Sequence, residues 1–163
     1  MSVIDSLIIN RTQADVDTFV TLARIRWQDM TDEEKTKFNA GRGAYSFADM
    51  NRVGEAINYL VERLNASGER ILDVEGITGY TAADYITPEK SAEYLATVKA
   101  ARAMFPVYST TPSVPDSLAA LSYSKANDIE RILYDIDELI TKSEQIWLYS
   151  GEIYSGEVLT DEG

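Results

Sequence analysis

Few residues in this 163-residue chain are of types that do chemistry, and carboxylates are the most numerous of them. Asp135 and Asp137 stand two apart in a helical stretch. A pair of acids can serve a glycosidase as acid and base, but this spacing points the two to different sides of a helix. With 27 acidic residues in the chain, some pair always lies close, so spacing alone assigns no role. Asp73–Gly76, "DVEG", is the nearest approach to a calcium loop. It lacks the remaining ligands and the closing glutamate, so it reads as a turn. Gly41–Arg42–Gly43 is too short for a dinucleotide fingerprint and follows no strand, so it reads as the end of a helix. Neither a GxSxG elbow nor a GxxxxGK[ST] loop occurs. Histidine is absent, which removes the commonest general base and metal ligand. Cysteine is absent, which removes disulfides, thiolate catalysis and cysteine-bound zinc. No catalytic, cofactor-binding or metal residue is assigned on these grounds, and the chain reads as a protein that is not an enzyme.

Tyrosine is the other chemically distinctive type, with ten copies against two tryptophans and four phenylalanines. Tyr59 and Tyr134 fall on long helical stretches, where half-buried rings would keep their hydroxyls at the rim. Tyr80, Tyr85, Tyr108, Tyr149 and Tyr154 fall in connectors or in the tail. Tyrosine suits contact surfaces because it brings a large area at low entropic cost. The tail repeats YSGE, at Tyr149–Glu152 and Tyr154–Glu157. Trp147, Tyr149, Glu152, Tyr154 and Glu157 are therefore the candidate interaction residues.

Charge limits the partners. Fifteen basic residues against 27 acidic ones leave a net charge of −12. Phosphate backbones and anionic lipids attract basic surfaces, so neither nucleic acid nor membrane is an expected partner. The opening "MSVIDSLIIN" has no basic leader, and Asp5 interrupts its apolar run. It reads as neither signal peptide nor anchor, so a cytoplasmic site of synthesis is expected.

The elements that position these residues are mostly helical. Thr12 and Asp15 open a first helix with an apolar stripe of Val16, Phe19, Val20, Ala23, Trp27 and Met30. Thr31 and Glu34 have capping-box spacing before a short second helix that Gly41 stops. Ser46 and Asp49 open a third, with Met50, Val53, Ile57, Leu60, Val61 and Leu64 on one face. Thr87–Pro88 opens a fourth, carrying Leu95, Val98, Ala101 and Phe105. A proline-punctuated loop follows, and a fifth helix is expected from about Ser122 to about Gln145, with Ala126, Ile129, Leu133, Ile136 and Ile140 inside. The 70–80 segment, with β-branched residues and two glycines, is expected to form a strand or hairpin. Ser150–Gly151 and Ser155–Gly156 are poor helix formers, so the tail is expected to leave the helix after Gln145 as a short hairpin or edge strand.

Helices three and five share a plan. "SFADMNRV" and "SYSKANDI" each place Asn five residues after Ser, and Asn51 and Asn127 are offset by 76 residues, as are Phe19 and Leu95. This reads as an internal duplication with halves at about 10–68 and 86–146, followed by a tail at 147–163, all in one domain spanning 1–163. The expected fold is mainly α: two pseudo-repeated helical hairpins packed into a four-helix core, with a β-hairpin or edge strand from the 70–80 segment or the tail.

"NRTQADVDTFVTL", "GAYSFADMNRVGEAINYL", "YSKANDIERILYDIDELI", "TPSVPDSL" and "WLYSGEIYSGE" together resemble a helical module of structural and tail-associated proteins of tailed bacteriophages and prophages of Gram-positive gut bacteria. The resemblance runs from about Asn10 to about Glu157. This copy ends soon after the tail, where the module usually continues into a larger protein. The resemblance implies a virion protein of the tail, baseplate or fibre that works by assembly with other virion proteins and with itself, in a symmetric oligomer. A carbohydrate-binding module using its tyrosines, and a phage cell-wall hydrolase, are the alternatives.

Overall fold

A computed structural model of the chain describes residues 2–67 and 71–154, with side chains described through Ile146. The helices are α1 (Gln13–Leu22), α2 (Asp32–Asn39), α3 (Phe47–Ala66), α4 (Pro88–Ala103) and α5 (Tyr123–Tyr154), with 3-10 turns at Val3–Ser6 and Trp27–Asp29. Their starts follow local chemistry. Thr12, Thr31 and Ser46 each close a capping box, with Asp15, Glu34 and Asp49 respectively, satisfying backbone donors that the first turn leaves free. Hydrogen bonds from the Thr12 hydroxyl and N–H hold the Asp15 carboxyl below its ordinary range. Thr87 caps α4, and Pro88 takes its first position.

The core is built from three helices. Val53, Ile57 and Leu60 of α3, Leu95 and Val98 of α4, and Ile129, Leu133 and Ile136 of α5 are buried together, with Ile4 beneath them. Helices α3 and α5 run parallel, because Arg52 meets Glu130 at one end and Arg63 meets Asp137 and Glu144 at the other. Helix α4 runs the same way. Tyr94 in its second turn reaches Tyr45, just before α3, and Tyr108, beyond its end, reaches Lys142 late in α5. Parallel helices need long returns, and the chain makes them as non-helical segments at 71–86 and 104–121, broken by turns at 82–83, 109–110 and 119–120.

The expected four-helix core is corrected. Helix α1 has only ten residues and ends at Leu22, so Trp27 and Met30 leave its stripe for a separate 3-10 turn. With α2 it forms an annex, in which Phe19 stacks on Phe38 at 5.0 Å and Trp27 meets Phe38 edge-on at 6.3 Å. Val20 stays 43% and Trp27 52% exposed.

The expected β-hairpin is corrected as well, since there is no strand among the described residues. From Ile71 the 70–80 segment runs without helix until Gly79, which turns it at φ 88°, and its backbone partners are side chains of α3. The DVEG stretch lies in this run and makes no turn. Helix α5 does not end after Gln145. It continues through Ser150–Gly151 to Tyr154. One glycine costs a helix about 1 kcal/mol, less than stopping and nucleating a new element among strong helix formers such as Glu144, Leu148 and Glu152. Because Arg63, near the end of α3, pairs with Glu144, the last two turns of α5 run past α3. Ser155–Gly156 and the rest of the tail lie outside the described residues.

Candidate functional site

A row of asparagines on α3 grips the extended return. Asn51, Asn58 and Asn65 are seven residues apart, two helical turns, so they share one face. Each side-chain amide bonds both backbone groups of one residue. Asn65 accepts from Leu72 N–H at 2.7 Å and donates to its carbonyl at 3.3 Å. Asn58 does the same to Gly76 at 2.7 and 3.2 Å, and Asn51 to Tyr80 at 2.9 and 2.8 Å. The gripped residues are four apart and descend as the asparagines ascend, so the strap runs antiparallel to α3. Two helical turns span about 10.5 Å and four extended residues reach about 13 Å, so the Leu72–Gly76 interval has slight slack, and the Gly76–Tyr80 interval is shortened by Gly79 at φ 88°. Contact is close enough that a Cβ at Gly54 would collide with the Ile77 carbonyl, and one at Gly76 with the Gly54 carbonyl.

Helix α5 holds a second extended segment, residues 7–11. Asn127 accepts from Arg11 N–H at 2.9 Å and donates to its carbonyl at 3.0 Å. One turn further, Glu130 accepts from Ile8 N–H at 2.6 Å. Asn51 and Asn127, which the 76-residue offset pairs, therefore do the same work on different helices.

Around Glu130 the grip becomes ionic. Its carboxylate is 0% exposed and accepts from Arg11 at 2.5 Å and from Arg52 at 2.8 and 3.0 Å. Asp49 accepts from Arg11 at 2.7 Å, from Arg52, and from Ser46 N–H at 2.6 Å. Arg11 also donates to the Ile8 carbonyl at 2.6 Å. Burial works against the charge of Arg52, but Glu130 and Asp49 hold its pKa above the ordinary value. Two guanidinium groups and two carboxylates balance, as a buried cluster must. Beside them the Tyr45 and Tyr94 hydroxyls meet at 2.6 Å. Burial pushes both phenols above their usual range, and the nearby carboxylates add to the shift.

Both carboxylates of this cluster are held by fixed donors from Arg11 and Arg52, with backbone N–H groups added at Ile8 and Ser46. The Asp135 and Asp137 pair is likewise divided. Asp135 accepts from Thr111 at 2.6 Å and from Arg131 at 2.7 Å, while Asp137 pairs with Arg63 at 2.5 Å. Among the described residues no three His, Cys, Asp or Glu side chains gather as metal ligands. Gly41 adopts φ 62° just after α2 and carries no ligand geometry.

A cleft of about 600 Å³ opens between the N-terminus of α4 and the 116–121 loop. Tyr45 and Leu121 separate it from a smaller one of about 200 Å³. Its wall is mixed, with Ile86 and Leu118 beside Thr87, Ser91 and Ser117, and Tyr85 is 81% exposed at its edge.

Of the interaction residues expected from sequence, Trp147, Tyr149, Glu152 and Tyr154 fall in the last turns of α5, and Glu157 lies outside the described residues. Sequence reasoning missed the asparagine row. Its signal was present as three asparagines at heptad spacing in a helix interior, where asparagine is a poor helix former and needs a reason. No described helix is long and apolar enough to cross a membrane. No family model, curated protein or solved structure matches the chain.

Proposed function

We propose that this chain is a structural protein of a tailed bacteriophage particle, associated with its tail, baseplate or fibre, and that it works by protein–protein assembly. The observation that carries the reading is the end of α5, whose last two turns pass the end of α3 and bear the candidate residues Trp147, Tyr149, Glu152 and Tyr154. A helical end that outruns its neighbour is a natural handle for another subunit. The resemblance to tail-associated modules supplies the particle.

Mass spectrometry of particles purified from a host carrying this gene should find the chain at a copy number matching the symmetry of the tail. Its absence from the particles contradicts the proposal. Deleting residues 150–163 sharpens it. A truncated chain that folds and stays monodisperse but fails to enter particles supports assembly through the tail, and one that assembles normally removes the tail from the account.

A second reading has its own observation. The exposed Tyr85 ring and the hydroxyls of Thr87, Ser91 and Ser117 border one cleft, a pattern that suits a sugar face and its hydroxyls. Binding to purified host cell-wall polysaccharide that Tyr85→Ala abolishes would favour a carbohydrate-binding module.

A further inference from the structure

The strap on α3 has two edges, and only one is used. Leu72, Gly76 and Tyr80 give their backbone groups to the asparagines, while Asp73 and Glu75 have backbone groups with no hydrogen bond among the described residues. In extended chain, alternate residues present their backbone groups to opposite edges. With Leu72 and Gly76 turned to α3, Ile71, Asp73 and Glu75 face away. Unpaired backbone groups persist only where water reaches them, so this outer edge is wet. The side chains of these three residues are exposed, Ile71 to 91%.

We propose that the outer edge of Ile71–Glu75 is a docking edge, on which an extended, cationic segment of a partner protein adds as a β-strand. Strand addition needs an edge already held straight, and the asparagine row and the Gly54–Gly76 contact supply that rigidity. Charge selects the occupant. Asp73 and Glu75 lie on the strap, and Glu55 and Glu62 follow Asn51 and Asn58 by one turn of α3. All four are exposed, and none has an ion pair among the described residues. A second copy of this chain would set Asp73 and Glu75 against their own kind, which blocks self-pairing. A strand with lysine or arginine on alternate positions meets no such penalty. Ile71 offers it one apolar contact. This inference does not depend on the particle reading, and its test uses the isolated chain.

The probe is a ten-residue peptide of alternating threonine and lysine, with two controls: the same peptide N-methylated at every second amide, and a threonine–glutamate peptide. At low salt the lysine peptide should bind and slow amide exchange of Asp73 and Glu75 at least tenfold. The methylated form, which keeps the charge but loses the strand hydrogen bonds, should bind at least tenfold more weakly and leave exchange unchanged. The double variant D73K/E75K should reverse the preference toward the glutamate peptide, and Glu75→Pro, which removes an outward N–H, should lose binding with an unchanged melting curve. Equal binding of the methylated and unmethylated peptides, no binding at millimolar peptide, or a charge-reversed variant that still prefers lysine would each overturn the proposal. Dimerisation of the free chain through this edge would overturn it too.

Discussion

Helices α3 and α5 each hold a length of extended chain antiparallel to themselves, and they do it with different chemistry. Helix α3 uses three neutral amides, each matched to one donor and one acceptor of the strap. Helix α5 uses one such amide, Asn127, and then a cluster of charges. The difference follows burial. On α3 the holding amides are half-buried at Asn51 and Asn65 and exposed at Asn58, whereas on α5 the half-buried Asn127 is followed by fully buried Glu130, beside which Arg11 is buried while Ile8 and Ile9 are half-buried. An amide suits either setting because it matches a peptide group without bringing charge. Buried charges hold more tightly, but only as a complete set.

The largest effect should come from the core that supports both grips. Ile57 and Leu133 are buried in the seam of α3 and α5. Ile57→Asp and Leu133→Asp should each cost several kcal/mol in denaturant unfolding, because an unpaired buried charge is expensive. If both variants melt like the wild type, the shared core is wrong.

Arg11→Ala should come next. It leaves Glu130 and Asp49 sharing one guanidinium, and breaking a buried ion pair from one side costs about 3–5 kcal/mol. Asn58→Ala should cost less, about 1–2 kcal/mol for two hydrogen bonds on a wet flank. Equal losses in the two variants would erase the distinction between the ionic and the neutral grip.

Alkaline pH loads the α5 side most heavily. The asparagines have no titrating group, and the one phenol they hold, Tyr80, is itself raised by burial and meets the Tyr94 ring edge-on at 6.4 Å. Beside the α5 grip, burial raises the pKa of Tyr45 and Tyr94 in the folded chain. A group whose folded pKa is raised contributes stability below its unfolded pKa and loses it as pH rises above that value. Stability should therefore fall above about pH 10, the unfolded tyrosine value. Ultraviolet titration should show Tyr45 and Tyr94 ionising later than the exposed phenols of the folded chain, and Tyr45→Phe should remove one of these late transitions. Ionisation of all phenols near pH 10 in a folded chain would contradict this.

Much of this was legible in the sequence because it is local. The capping boxes at Thr12, Thr31 and Ser46 need only residues three apart, and the buried faces of α3 and α5 follow from apolar spacing. What was not legible depends on distant partners. The stripe of the first helix looked continuous to Met30, but the chain turns after Leu22, and nothing local marks that break. Ile71–Tyr80 has strand composition and non-helical backbone, yet its pairing partner is a helix, which strand propensity cannot indicate. Ser150–Gly151 looked like a stop, but a weak local preference yielded to the long helix around it.

The asparagine grip itself is tested most directly by hydrogen exchange of single backbone amides in the native chain. Leu72, Gly76, Tyr80, Ile8 and Arg11 donate to α3 or α5, so their amides should exchange slowly, whereas Asp73 and Glu75 should exchange close to the rate of free chain. Asn58→Ala should then speed Gly76 while leaving Arg11 protected. Uniform exchange across residues 71–80, or protection at Asp73 and Glu75 equal to that at Leu72 and Gly76, would contradict the account.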